Sequence, residues 1–248
     1  RELDEFAYTA SHDLKEPLRG ITINANFLAR EQLSEKGEGR VERMVALAAR
    51  MEQLITDLLF FSRLGRGEKV MKHVDTPHII EGIESELEEW MAERHCEIQF
   101  NTALPWVHAE RSKVKTVFQN LIVNGLKFND SAPKTVEVGF DRVAEVNGNM
   151  LHDVFWVRDN GIGISDQNRN KEFRIFQRLN REEDYGPGTG AGLSFVRKII
   201  EEYGGAIDLV SQPGFGTTFY FSLPPAKAGH TTTDNKKGTA VNGHISDN

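Results

Sequence analysis

Several things are scarce in this chain of 248 residues, and each scarcity excludes something. There is one cysteine, Cys96, so no intramolecular disulfide can staple the fold and packing must hold it together. No motif frames that thiol as a nucleophile, and its use fits a reducing, cytoplasmic setting. No apolar run approaches the ~20 residues that a membrane-spanning helix needs, and no signal-peptide pattern opens the chain. Basic residues are outnumbered, 30 Lys and Arg against 37 Asp and Glu, for a net charge of −7. No basic stripe of the sort that nucleic-acid binders carry stands out, so nucleic acid is not an expected partner. A GxxxxGK[ST] phosphate loop is also missing. The chain opens on Arg1 with a helical pattern already running, as a piece of something longer would.

What is present divides into two textures. Over residues 1–30, Leu3, Ala7, Ala10, Leu14, Pro17, Ile21 and Leu28 recur at alternating steps of four and three, with Asn24 filling the one gap. That is a coiled-coil or bundle seam, widened by Phe6, Leu18 and Ala25. The stretch SEKGEGR (34–40) supplies two glycines and a turn. A second seam follows through Val41, Met44, Ala48, Met51, Ile55 and Leu58. Two long helices joined by a short loop pack antiparallel, yet one hairpin has too little partner surface to bury both seams. Two hairpins in a homodimeric four-helix bundle would do so; a hairpin packed on the second domain is the alternative. The expected organisation is a helical hairpin over 1–64, a linker over 65–74, an α/β domain over 75–225, and a polar, disordered tail over 226–248. Within the α/β domain the pattern gives helices near 76–94, 110–128 and 190–203. Strands are expected near 97–100, 135–142, 153–157, 206–211 and 217–223, mostly antiparallel.

The segment SHDLKEPL (11–18) puts His12 beside Asp13. At about 100° per residue, His12 lies roughly 170° from the seam direction, on the solvent side of its helix. Most such histidines are part of a solvated face; the geometry establishes only that another domain can reach this one. Pro17 removes an intrahelical hydrogen bond one turn later and tends to kink the helix.

Three glycine-bearing segments lie in the second domain. Asp159-Asn160-Gly161-Ile162-Gly163 follows an apolar strand; its glycines admit close approach to a flat ligand, and Asp159 can accept from an exocyclic amine such as that of adenine. Gly188, Thr189, Gly190 and Gly192 run into a helix at Leu193, an arrangement suited to phosphate. The charged stretch LNREEDY (179–185) precedes them where a dinucleotide fingerprint would need a strand. The third segment, Gly214-Phe215-Gly216-Thr217, reads alone as a hairpin turn. Asn120, Asn124 and Lys127 fall on one face of a helix whose Leu121, Ile122 and Leu126 serve the core. Asn carbonyl oxygens are acceptable to Mg²⁺, and Lys127 adds a point charge for phosphates.

In this order the motifs resemble the catalytic core of a sensor histidine kinase, of the HisKA plus HATPase_c type. SHDLKEPL looks like the phospho-acceptor box and FQNLIVNGLKF (118–128) like the N box. VRDNGIGI (157–164), EFRIFQRL (172–179), GPGTGAGLS (186–194) and GFGTTF (214–219) look like the first glycine box, the F box of the lid, and the second and third glycine boxes. The wording FAYTASHDLKEPLRGI (6–21) is similar to kinases of phytochrome-type or PAS-linked receptors. The resemblance implies a dimeric four-helix bundle followed by an α/β two-layer sandwich of the Bergerat (GHKL) ATPase fold. It implies ATP and Mg²⁺ as ligands, and phosphoryl transfer from ATP to His12 and on to a response-regulator receiver domain. An upstream sensor domain, outside this chain, is a further implied partner. Asp13 would orient the His12 ring and accept a proton, and Arg178 would approach the γ-phosphate or the His12–Asp13 pair. Asn124 would hold the metal, with Asn120 and Lys127 near the phosphates. Phe128 would line the nucleotide pocket, and Asp159 would bind the adenine amine. The glycine boxes place Gly161, Gly163, Gly188, Thr189, Gly190, Gly192, Leu193 and Thr217 around the nucleotide. Glu16 stands where the family often has Thr or Asn, which puts phosphatase activity in question, and Gly125 replaces the usual Ala. The competing readings are a nucleotide-binding scaffold without phosphoryl transfer, and an ATPase clamp of the same superfamily.

Overall fold

The computed structural model describes residues 2–31, 33–65, 70–100, 103–165, 185 and 189–226; of residues 2–13 and 16 it describes the backbone alone. Arg178, Gly188, the F-box segment and residues 227–248 of the tail lie outside the described residues.

Two helices begin the chain, α1 (Glu2–Leu28) and α2 (Glu35–Arg63). Ser34 caps α2, its hydroxyl accepting from the Gly37 amide, with Glu35 and Glu38 in the first turn against the positive end of the dipole. The helices form an antiparallel hairpin whose interior holds Leu18, Ala25, Val41, Ala48 and Ile55. The expected seam is therefore split. Val41, Ala48 and Ile55 face α1, while Met44, Met51 and Leu58 stay exposed, as do Leu14, Ile21 and Leu28 on α1. Two helices can cover one line of apolar residues each; the neighbouring line needs another partner.

The second domain opens on β1 (Lys72–Val74), which the sequence pattern leaves in the linker. It pairs antiparallel with β3 (Val107–Ala109). Asp75 caps α3 (Thr76–Arg94), and β2 (Cys96–Phe100) follows. The remaining elements are α4 (Arg111–Lys127), β4 (Lys134–Val146), β5 (Asn149–Asp159), α5 (Gly192–Glu202), β6 (Ile207–Gln212) and β7 (Gly216–Ser222). Five strands form a sheet in the order β2-β4-β5-β7-β6, with β2–β4 parallel and the other pairs antiparallel. The β4–β5 hairpin is longer than the sequence pattern gives. It turns at Asn147-Gly148, both at positive φ, as a two-residue hairpin loop requires.

Helices α3, α4 and α5 cover one face of the sheet. At the centre, Phe118 of α4 meets Phe155 of β5 and Phe221 of β7, with ring centroids 5.5–5.7 Å apart. Ile80, Ile83, Leu121, Ile122, Leu126, Ile199 and Ile200 complete a sealed core. Burying each such side chain contributes about 1.5–3 kcal/mol. That packing is what fixes the helix ends and loops along the edge where α4, β5 and α5 converge.

Candidate functional site

The site is built around the C-terminal ends of α4 and β5. Helix α4 is two-faced: Val117, Phe118, Leu121, Ile122 and Leu126 are buried, while Asn120, Asn124 and Lys127 are half-buried on the other side. The Asn120 amide donates to the Thr116 carbonyl at 2.7 Å. This holds the side chain against the start of α5, where a Cβ added to Gly192 would lie 2.3 Å from Asn120 Oδ1. Gly125 lets the helix approach β4 and β5, since a Cβ there would stand 2.8 Å from a Val136 methyl and 3.0 Å from Asp159 Cβ.

Asp159 ends β5. Its Oδ1 accepts from the Gly161 amide at 2.9 Å and from the Thr217 amide at 3.2 Å. Burial pushes its pKa up from 3.8 to about 6, and the two amide hydrogen bonds pull the other way. The carboxylate is thus held in a niche and kept ionised at neutral pH. Around it the glycine segments interlock. A Cβ at Gly161 would stand 2.3 Å from the Phe128 carbonyl oxygen, which accepts from Ile162 N. Gly163, at φ +67°, lies against the Gln212 carbonyl, and Gly214 N donates to the Ile162 carbonyl. Gly216, at φ +101°, abuts the Asp159 carbonyl. The third glycine segment, which reads alone as a simple turn, is a wall of the Asp159 niche.

The second glycine segment enters α5. Gly190 takes φ +77°, Ala191 is fully buried at the N-cap position, and Leu193 packs on the core. Thr189 Oγ1 accepts from Ala191 N at 3.4 Å and donates to Asp57 of α2. The structure therefore gathers Asn120, Asn124, Lys127, Phe128, Asp159, Gly161, Gly163, Thr189, Gly190, Gly192, Leu193 and Thr217 along one edge of the domain. His12 and Asp13 lie in α1 on the other domain, with the backbone alone described, and Arg178 and Gly188 lie outside the described residues.

Several contributors are absent from the sequence-based set. Asn129, fully buried, donates to Asn160 Oδ1 at 2.7 Å and accepts from Ser131 N at 2.9 Å. Asn160 in turn accepts from Thr135 N and donates to the Pro133 carbonyl, so the two side chains brace the loop beneath Asp159. Tyr185 hydrogen-bonds Asp130 at 2.8 Å and sets its ring edge-on to Phe128, 5.5 Å between centroids. The adjacency of Asn160 to Asp159 and of Tyr185 to the second glycine segment were the available signals; Asn129 and Asp130 offered none beyond following the N box.

Chemically, the arrangement offers an ionised acceptor for an exocyclic N–H at the bottom of a glycine-lined niche. It also offers a helix N-terminus for an anion, with the Asn120 carboxamide oxygen against it. Among the described residues no group of three or more His, Cys, Asp or Glu is placed to hold a metal. A cation here would have to rely on carboxamide oxygens and on the ligand's own oxygens, which suits Mg²⁺.

Two family models match the chain. Residues 2–67 match the His Kinase A (phospho-acceptor) domain, and residues 109–227 match the histidine kinase-, DNA gyrase B- and HSP90-like ATPase. Cyanobacterial phytochrome B of Nostoc sp. is 44% identical over 226 residues, covering 90% of this chain and 29% of the relative. Phytochrome-like protein Cph1 of Synechocystis sp. is 37% identical over 227 residues, again 90% of this chain and 29% of the relative. The chain thus spans under a third of the length of these relatives. Among solved structures, full-length ShkA, crystallised with AMPPNP, superposes with a TM-score of 0.67 at 24% identity, covering 91% of this chain and 47% of that one. The histidine kinase AdeS of Acinetobacter baumannii gives 0.57 at 18% identity, covering 86% of this chain and 98% of that one. Both likenesses speak to the fold. With both domains matched in the family's order and the phytochromes as relatives, the chain belongs to the sensor histidine kinases as a catalytic core resembling the phytochrome subgroup.

Proposed function

We propose that the chain binds ATP at the Asp159 niche, transfers its γ-phosphoryl group to His12, and passes that group to an aspartate of a response-regulator receiver domain. The observation that carries the nucleotide half is Asp159: a buried carboxylate with a pKa of about 6, fixed by two amides and walled by the first and third glycine segments. Such a group accepts a hydrogen bond from the adenine amine and discriminates against bases that lack it. The N-terminus of α5 and Lys127 take the phosphates; Asn120 and Asn124 face them, with Asn124 the candidate ligand of Mg²⁺. Bound Mg²⁺ would neutralise phosphate charge. Phe128, braced edge-on by Tyr185, would line the nucleotide pocket.

In the transfer, a nitrogen of neutral His12 forms a bond to the γ-phosphorus as the bond to the β,γ-bridging oxygen breaks and ADP leaves. The displaced imidazole proton passes to Asp13, and Arg178 offsets the developing charge. Catalysis here is mostly positioning and charge neutralisation. The exposed apolar line on the hairpin supports a homodimer, and an upstream sensor domain would set the bundle's state. Among the described residues no helix is long and apolar enough to cross a membrane, and a cytoplasmic setting fits the cysteine usage.

The experiment is incubation with γ-labelled ATP and Mg²⁺. Wild type is expected to incorporate acid-labile, alkali-stable label, and His12→Gln none. Equal labelling of the two would end the assignment of His12; nucleotide binding without any label would favour a scaffold.

A further inference from the structure

The last turns of α2 do not end free of the nucleotide domain. Asp57, Phe60, Phe61 and Leu64 recur at i, i+3, i+4 and i+7, which puts them on one face of the helix. That face lies on the second domain. The Phe60 ring meets Phe195 of α5 edge-on, with centroids 5.0 Å apart and planes at 73°; Phe61 lies 6.2 Å from the same ring. Lys198 Nζ donates to the Phe61 carbonyl at 2.5 Å and sits 3.9 Å from the centroid of the Phe61 ring. Leu64 is buried in the nucleotide domain's own core. At the other end of this stripe the Asp57 carboxylate, itself buried, accepts from Gln53 Nε2 at 2.9 Å through one oxygen and from the Thr189 hydroxyl through the other.

Thr189 stands two residues before Ala191, the N-cap of α5. Its hydroxyl has one proton to give, and here that proton goes to Asp57. The carboxylate therefore brings a full negative charge to the helix end proposed above for phosphate. A helix N-terminus stabilises one anion; a second anion at the same end meets the first one's repulsion.

We propose that Asp57 and the nucleotide's phosphates compete for the N-terminus of α5, so that docking of α2 weakens ATP binding and ATP binding loosens α2 from the nucleotide domain. The inference rests on the nucleotide reading of the preceding subsection. Coupling of this kind is reciprocal: whatever factor docking takes from ATP affinity, ATP takes from docking. It acts at a consequential height. Leu18 of α1 packs with Ala48 and Ile55 of α2, so in an antiparallel hairpin position 12 of α1 comes about level with Asp57. Release of the contact frees the nucleotide domain beside the phospho-acceptor at the moment it acquires its phosphoryl donor.

The test measures ATP, ADP and adenosine binding by calorimetry for wild type, Asp57→Asn and Asp57→Ala. Asn keeps the shape and an acceptor for the Thr189 hydroxyl and removes only the charge, so it guards against a variant that misfolds. Both variants are expected to bind ATP and ADP more tightly, by on the order of tenfold. Adenosine, which has no phosphates, should change by less than about twofold. Hydrogen exchange over residues 57–64 should rise on adding ATP to the wild type and respond less in Asp57→Asn. Unchanged or weaker ATP binding in Asp57→Asn overturns the proposal, and so does equal tightening for adenosine, which would indicate a steric effect. Should wild type and both variants bind none of the three ligands, it is the nucleotide reading that falls, and this proposal with it.

Discussion

Asp159 carries a cost in stability that its proposed role in binding would offset. Its pKa is about 6 in the folded chain against an ordinary 3.8. Between these values the unfolded chain has released its proton and the folded chain still holds one. Stability therefore falls as pH rises through that window, and the whole cost is present above it. A shift of roughly two units corresponds to about 3 kcal/mol. Asp159→Asn retains an oxygen for Gly161 and Thr217 and carries no charge to bury. It is expected to raise unfolding stability by up to about 3 kcal/mol at pH 7.5, with the gain vanishing below about pH 4, as urea titrations across pH will show. The same variant should lose ATP affinity by about ten- to a hundredfold, since its amide presents the adenine amine with a donor instead of a charged acceptor. In wild type the affinity should decline as pH falls below about 6, where the carboxyl is protonated. Asp159 stood out in the sequence because it follows an apolar strand and precedes two glycines. Asn129 and Asn160 were not legible, because a buried carboxamide is defined by the partners it finds, and those lie up to 31 residues away.

At the scale of elements, α4 has a core face and, opposite it, the half-buried polar face proposed for the nucleotide, and the two should separate by mutation. Phe118 touches both Phe155 and Phe221 and is fully buried, so Phe118→Ala should cost about 3–5 kcal/mol. Asn124 is half-buried on the face toward α5. Asn124→Ala should leave the melting temperature within a few degrees of wild type and abolish phosphoryl label, read by calorimetry and the γ-labelled ATP assay in parallel. The 3.6-residue period makes this helix legible in the sequence, as it does α3 and α5. The strands are harder to read. Residues 141–152 extend the β4–β5 hairpin past the helices that cover the sheet, and Asp141, Arg142, Val143, Glu145, Met150 and His152 are exposed. With only Val146 buried there, the alternation that marks a strand is lost; the Asn147-Gly148 turn is the signal that remains. Strand β1 is hidden in the linker because three residues are too few to show a period, and its pairing with β3 is a tertiary fact.

For the molecule as a whole, the decisive feature is the surface it leaves uncovered. Leu14, Ile21, Met44, Met51 and Leu58 are each between 41% and 52% exposed and run along one hairpin. The sequence specified the seam but could not say which half of it the hairpin would bury alone; that depends on how α1 and α2 rotate against each other. The inward half went to Leu18, Ala25, Val41, Ala48 and Ile55, and the outward half stays exposed. Burying such side chains in a four-helix bundle contributes about 1.5–3 kcal/mol for each one fully covered, enough in sum to hold a dimer at micromolar concentration. Wild type is therefore expected to sediment as a dimer. Ile21→Glu combined with Met51→Glu places two charges in the bundle core and should shift it to monomer. Neither position belongs to the Asp57–Leu64 stripe that meets the nucleotide domain, so the double variant should keep its ATP affinity within about twofold. A variant that sediments as a dimer would show that this apolar line is not the dimer interface. One that turns monomeric and loses ATP binding would show that dimerisation and nucleotide binding are linked.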